Sequence, residues 1–424
     1  MNRSRIVALF GVVFLVAASF YTFLQTESWL SIYGYLDLGS WASRSFGGIG
    51  NTNGDGDDDD DDANETLTDA ELAVQSKFTD DVLPRTSEVS YTSRNLTSGV
   101  KYFIYSPSGG FNNQRIEMET AMIISKMLNR TLIVPPMGKH SSFYGRYELL
   151  TPTQVVPMDK IFDFRVMNEF VPCVPIGNFR LISYVKELQA RYDVRILFHH
   201  ERQNWQERDI IPQMGRVRSR ILFLRGAEMY HNWNFAHSHT SKMFTTVRFT
   251  EGIRRVASDC IFSAFPDGRF NAIHVRMGDY SPRTPSASVY ERQMANRGFK
   301  TDVPLYIATE PSTPKSYFRE ICNKYKCFFS KDLDTPLLNK FAEAVPQGQI
   351  RMDMLGVVEQ LICVAAVKFV GTSFSTFSLK IAQMRSFKHF AFPEFHRPSG
   401  NETTSKQSDP SNELLGDGNG DGDY

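Results

Sequence analysis

From about Val82 to Pro398, short apolar runs of a few residues alternate with longer stretches of helical period, whereas residues 6–24 are mostly apolar and uncharged and residues 51–81 and 399–424 are mostly polar. The alternating body predicts an α/β fold. Tyr102-Phe103-Ile104-Tyr105 reads as a strand, 106–112 as a glycine-rich turn, 113–128 as a helix and Thr131-Leu132-Ile133-Val134 as a second strand, which begins a βαβ unit. In that helix Ile116, Met118, Ala121, Met122, Ile124 and Met127 make the apolar stripe, with Glu117, Glu119 and Lys126 expected outside it. The second half repeats the alternation: a strand ending at His274, strand 304–308, helix 315–325, strand Cys327-Phe328-Phe329, helix 353–367, strand 368–371 and a helix opened by Ser375.

About 317 residues exceed what one hydrophobic core usually organises, so two doubly wound lobes are expected, at 99–256 and 257–398. Residues 140–256 show no clear period and are expected to form a mixed extension joining the lobes.

The ends read differently. In residues 6–24 about 19 positions at 1.5 Å each reach roughly 28 Å, close to the hydrocarbon thickness of a bilayer. Arg3 and Arg5 precede this segment and Glu27 is the first charge after it. The bias predicts a cytoplasmic tail at 1–5, a transmembrane helix at 6–24 and a lumenal body, a single-pass type II protein of the Golgi or endoplasmic reticulum membrane. A cleaved signal peptide competes, because Val16-Ala17-Ala18-Ser19 is small enough to cut; the apolar run continuing through Phe20, Tyr21 and Phe23 favours the anchor. Residues 25–98 read as an acidic stalk around the run from Asp57 to Asp62, and 399–424 as a disordered acidic tail. A calcium site in that run is the weaker reading, since unorganised carboxylates hold divalent ions poorly.

Formal net charge is +0, yet residues 51–81 carry about −11, the tail about −5 and the first fifty residues about +1, which leaves the body near +15. A basic lumenal body excludes nucleic acid as partner and favours a phosphate-bearing small molecule. Sequons at Asn64, Asn95, Asn129 and Asn401 suit the same compartment. Five cysteines exclude a disulfide scaffold; Cys322 and Cys327 form the expected local bridge, and Cys363 sits in an apolar run as a buried small side chain. No spacing suits a structural zinc site.

Three motifs carry candidate chemistry. His274-Val275-Arg276-Met277-Gly278-Asp279-Tyr280 places a histidine, a permanent cation and a carboxylate at the end of a strand, where open α/β sheets bind ligands. A guanidinium fork matches two phosphate oxygens at once. Gly109-Gly110-Phe111-Asn112-Asn113-Gln114 lies between strand and helix, where glycines admit a ligand to the backbone. Gly371-Thr372-Ser373-Phe374-Ser375-Thr376-Phe377-Ser378 runs from a strand into a hydroxyl-rich helix start suited to phosphate oxygens.

In this order the three resemble the motifs of the GDP-fucose O-fucosyltransferase family, over roughly 102–385, with a loop closer to the plant and algal branch. The resemblance implies a GT-B-like pair of Rossmann-like lobes with the donor in the cleft between them, inversion at the anomeric carbon, no divalent metal and no cofactor besides the donor GDP-fucose. It implies Arg276 at the β-phosphate and Asn113 near the transferred sugar as catalytic residues. Donor contacts fall on Gly110, Phe111, Asn112, His274, Ser375, Thr376 and Phe377, with Asp279 bracing the loop. Glu359 stands where the family places a guanine-binding aspartate, Gly110 where one animal branch has an arginine, and Gly109 where another has a glutamate base. No general base is evident; Glu117 and Glu119 are the nearest carboxylates in sequence.

The expected acceptor is a hydroxyl of a protein or glycan. Rival readings are an α1,2-type glycan fucosyltransferase, a non-catalytic nucleotide-sugar-binding module tethered to the membrane, and a manganese-dependent enzyme using Asp332-Leu333-Asp334. His231, His237 and His239 are read as a packed or acceptor-facing loop rather than a zinc cluster.

Overall fold

The computed structural model describes residues 96–140, 151–176, 180–199, 207–226, 237–278, 284–373 and 375–386. The expected anchor, nearly all of the stalk, the tail, Asp279, His231 and the sequons at Asn64, Asn95 and Asn401 lie outside the described residues. No described helix is long and apolar enough to cross a membrane.

The first half contributes β1 (Tyr102–Tyr105), β2 (Thr131–Val134), the short β3 (Met137–Gly138) and β4 (Val155–Val156), then β5 (Cys173–Pro175), β6 (Val194–His199) and β7 (Ile221–Gly226). Five of these form a sheet in the order β5-β2-β1-β7-β6, parallel throughout. The second half contributes β8 (Asn271–Val275), β9 (Leu305–Thr309), β10 (Cys327–Phe329) and β11 (Phe369–Val370), also parallel, in the order β10-β9-β8-β11. Eight helices are used below: α1 (Phe111–Met127), α2 (Leu181–Gln189), α3 (His237–Thr246), α4 (Glu251–Ala264), α5 (Ala287–Asn296), α6 (Pro336–Ala344), α7 (Gln349–Ala365) and α8 (Thr376–Ser386).

Parallel sheets need both faces covered, and the alternation of side chains provides for it. Tyr102, Ile104 and Ile133 turn to a core closed by Leu181, Tyr184 and Leu188 of α2. Phe103, Tyr105 and Leu132 turn the other way, into a core that continues without a break to Ala272 and Tyr306 of the second sheet. Ile273, Val275 and Ile307 face a third core with Tyr290 and Met294 of α5.

Three expectations change. Residues 140–256 supply β5, β6 and β7, three strands of the first sheet, rather than a linking extension. The division at 256/257 falls inside the continuous helix α4, which packs on α6 and α7. Glu117 and Glu119 are buried, 0% and 3% exposed, because α1 is enclosed by its own sheet and by α3 and α8. Its C-terminal end does reach solvent: Lys126 is exposed, and Asn129 adopts the left-handed conformation (φ 50) in the exposed turn before β2. Cys322 and Cys327 form the expected disulfide, while Cys173, Cys260 and Cys363 are buried free thiols. Burial pushes Cys173 and Cys260 up to about 12.

The two halves are joined by charge as well as by apolar contact. Glu119 on α1 accepts from Arg115 Nε at 2.9 Å and from Lys380 Nζ on α8, and all three side chains are almost wholly buried. The Arg115 guanidinium lies over the rings of Phe162 and Phe249, at 5.5 and 5.1 Å from their centroids. Burial lowers Lys380 to about 8, against the opposing pull of Glu119. Removing the shared carboxylate strands two cations in the interior. Glu119→Leu is expected to cost about 3–5 kcal/mol in urea unfolding, the loss typical of breaking a buried pair.

Candidate active site

Chain order defines where each sheet can bind. In the first, strands progress outward from β1 to β2 to β5, then return on the far side of β1 as β6 and β7; in the second, β8 to β9 to β10 runs one way and β11 lies on the other side of β8. Crevices open at such reversals, beyond the carboxyl ends of the strands. The carboxyl end of β1 leads to Gly109-Gly110, that of β8 to Arg276, and that of β11 to Gly371-Thr372. All three motifs stand at reversal points.

On the second sheet one hydroxyl ties two motifs together. Thr372 Oγ1 donates to the His274 carbonyl (2.9 Å) and accepts from the Arg276 backbone N–H (2.8 Å), so the Tyr290 hydroxyl supplies the proton of their 2.7 Å contact. The His274 ring meets Ser378 Oγ through Nδ1 at 2.7 Å and stacks on Phe377 with centroids 4.4 Å apart. Burial, helped by the nearby Arg276 charge, lowers His274 to about 3. The imidazole is therefore neutral at physiological pH. Gly371 is required by close approach: a Cβ there would lie 2.7 Å from the Ser378 side chain.

Arg276 is partly exposed, and its Nη1 pairs with Glu310 Oε1 at 2.6 Å while Glu310 Oε2 accepts from the Met277 N–H at 2.9 Å. One carboxylate thus orients the guanidinium and holds the loop that carries it. Asp353, bonded by Gln349, is raised by burial to about 6, with Arg276 pulling the other way. Glu359 accepts from the Tyr306 hydroxyl at 2.7 Å and is raised to about 7, chiefly by burial and further by the Glu310 charge. Ser375 is buried at the start of α8, with Thr376 and Phe377 partly exposed beside it.

On the first sheet Gly109 has φ +71, and a Cβ there would meet Asn113 Nδ2 at 2.7 Å, so the turn admits only glycine. Around Gly110, in contrast, a Cβ would meet open space. Gly110 caps α1 without a side-chain bond, and no acidic residue occupies the first turn, which leaves the positive end of the helix uncompensated. Phe111 is 5% exposed and stacks on Phe162 and Phe249 at 6.3 and 6.4 Å, so it anchors the turn in the core instead of facing a ligand. Asn112 is buried, and its Oδ1 accepts from Gln360 Nε2 of α7 at 2.8 Å. Asn113 is partly exposed, and its Oδ1 meets no donor among the described residues.

Two residues hold this turn in a role the sequence does not assign them. Gln114 bonds the Gly109 and Gly138 carbonyls at 2.9 and 2.7 Å, and Glu117 accepts from Ser108 N and Oγ at 2.6 and 2.8 Å. Polar residues one and two turns inside a helix that follows a glycine turn were the available signal. Glu117 and Glu119 are thus both committed to structural bonds, which removes them as candidate bases. Asp332 and Asp334 likewise serve local turns, accepting from the Phe329 N–H and from Asn339 Nδ2, both at 2.9 Å. Among the described residues no group of three or more metal-ligating side chains converges. His237 and His239 begin α3 rather than lying in a loop.

Two outcomes follow from the hydroxyl tie and the neutral histidine. Thr372→Val removes one donated and two accepted bonds from a buried knot and is expected to lower stability by about 2–4 kcal/mol in chemical unfolding, since three partners lose a bond. His274 is lowered from 6.5 to about 3 in the fold, so below pH 6.5 only the unfolded chain takes up the proton and stability falls with pH. Unfolding at pH 6.5 and 5 should differ by about 1.6 kcal/mol through this group, the slope approaching about 1.4 kcal/mol per pH unit only once the unfolded imidazole is fully protonated, and His274→Asn should abolish that part.

Residues 102–388 match the family described as GDP-fucose protein O-fucosyltransferase. The chain is 23% identical to O-fucosyltransferase 23 of Arabidopsis thaliana over 369 residues, 73% of this chain and 76% of that protein. It is 36% identical to O-fucosyltransferase 30 of the same plant over 61 residues, 13% of this chain and 12% of that protein. Among solved structures, apo POFUT1 aligns at 14% identity with a TM-score of 0.47, covering 69% of this chain and 96% of that one. The fucosyltransferase NodZ from Bradyrhizobium aligns at 11% identity with a TM-score of 0.41, covering 66% and 92%. The family match spans both sheets and every described motif, and the chain belongs to the GDP-fucose protein O-fucosyltransferase family, a family of glycosyltransferases.

Proposed function

We propose that the protein transfers fucose from GDP-fucose to a hydroxyl of a protein or glycan acceptor, with inversion and without a divalent metal, from a single-pass anchor in the secretory pathway. The observation that carries this reading is the Thr372 tie, which fixes Arg276 beside the hydroxyl-rich start of α8. A diphosphate departing from a sugar accumulates negative charge, and a preorganised guanidinium stabilises that charge more in the transition state than in the ground state. The uncapped start of α1 adds partial positive charge from the opposite half. Neutral His274 offers the donor a hydrogen bond without changing the charge balance. Glu359 is the carboxyl assigned to the guanine edge, and Asn113 the group assigned to the sugar.

A non-catalytic nucleotide-sugar-binding module is the second reading, favoured by the commitment of Glu117 and Glu119 to structural bonds. Calorimetry with GDP and transfer of radiolabelled fucose to protein, glycan and polysaccharide acceptors separate the two. Nucleotide binding without turnover on any acceptor selects the module, whereas activity abolished by a chelator removes the metal-independent mechanism. Arg276→Ala is expected to lower turnover by about 100-fold or more, the loss typical of one oriented donor to a developing anion.

A further inference from the structure

Gln360 belongs to none of the three motifs. It lies on α7 between Val358, Leu361 and Ile362, all buried, and is itself 0% exposed. A leucine would fill such a position without an amide to satisfy. Its Nε2 reaches across the halves to Asn112 Oδ1 at 2.8 Å and approaches the Phe377 carbonyl at 3.4 Å. Its Oε1 meets no donor among the described residues. The bonds that satisfy this buried amide are therefore the ones Nε2 makes.

We propose that Gln360 is a positioning residue whose hydrogen bond to Asn112 sets the glycine turn of the first half, and with it Asn113, against the donor motifs of the second half. This rests on the proposed function for its catalytic consequence. The contact continues a connected path. Phe377 stacks on His274, the His274 carbonyl accepts from Thr372, and Thr372 fixes the Arg276 backbone. At its other end Asn112 is held between Phe111, anchored in the aromatic stack, and Asn113, packed on Gly109.

The two polar contacts from α1 to the second half act at different points along the helix. Glu119 already joins α1 to Lys380 of α8, but it lies about 10 Å along the helix from Asn112 at 1.5 Å per residue. Gln360 therefore acts at the first turn of α1, a point the ionic contact does not reach. The outer attachment, Gln360, is the one beside the turn.

Gln360→Leu, with Gln360→Met as a second variant should the first fail to fold, tests the assignment through three readouts. In the unliganded protein, amide hydrogen exchange at residues 110–114 should rise about tenfold while the strands of both sheets are unchanged. Fucose transfer should lose about tenfold or more in kcat, as expected for a small misplacement, with the GDP dissociation constant within about twofold of wild type. Added to Asn112→Ala, the substitution should cost no further kcat beyond about twofold, since both remove one interaction. Unchanged exchange at 110–114, losses that multiply in the double variant, or GDP affinity falling in step with kcat would each overturn the proposal. A wild-type protein that fails to bind GDP would instead sink the proposed function, and the exchange result would still decide whether Gln360 holds the turn.

Discussion

One carboxylate shared by two buried cations governs how the halves of this protein meet. Glu119 gives Arg115 and Lys380 a shared counter-charge, and the pair it forms with Lys380 crosses from α1 to α8. Such ionic contacts add little net stability over apolar packing, but they tolerate few arrangements, because any shift that separates them leaves charge without solvent. The apolar core running between the sheets could accommodate sliding; the triad does not. With α1 and α8 fixed together, their two amino-terminal ends, one after Gly110 and one after Ser375, are held in a defined relation.

Electrostatics at the second sheet then becomes intelligible. Arg276 pairs with Glu310 and feels Asp353, and Glu310 in turn feels Glu359, an acidic neighbourhood for a proposed diphosphate site. Burial raises Asp353 to about 6 and Glu359 to about 7. Both therefore stay protonated to a higher pH than ordinary carboxyls, which lessens repulsion of an anionic ligand, while Glu310 remains bonded to the guanidinium and its loop. The cation is kept in place by a carboxylate and the ligand is kept from too many of them.

Strand positions were largely legible, because period-two alternation and short apolar runs mark β1, β2, β8 and β10 directly. The motif residues were legible as well, since each follows a strand and precedes a helix or loop. Burial of polar residues was not. The sequence assigns Glu117 and Glu119 to a solvated face, which is correct for a helix with one neighbour, but α1 has a sheet on one side and helices from both halves on the other. The family resemblance puts Phe111 at the ligand, whereas the Phe162 and Phe249 rings that claim it lie far along the chain. Gln360 carries no local signal at all; its partner is Asn112 of the opposite half.

Strand polarity has a consequence for the turn at Asn129. Every strand of the first sheet points its carboxyl end at the crevice, so this exposed turn, at the amino end of β2, occupies the opposite rim. Bulky decoration there, whether an oligosaccharide, a fluorophore or a linker to a solid support, would project into solvent behind the catalytic face. The rim is a natural handle for immobilising the enzyme with the opposite side of the sheet left open.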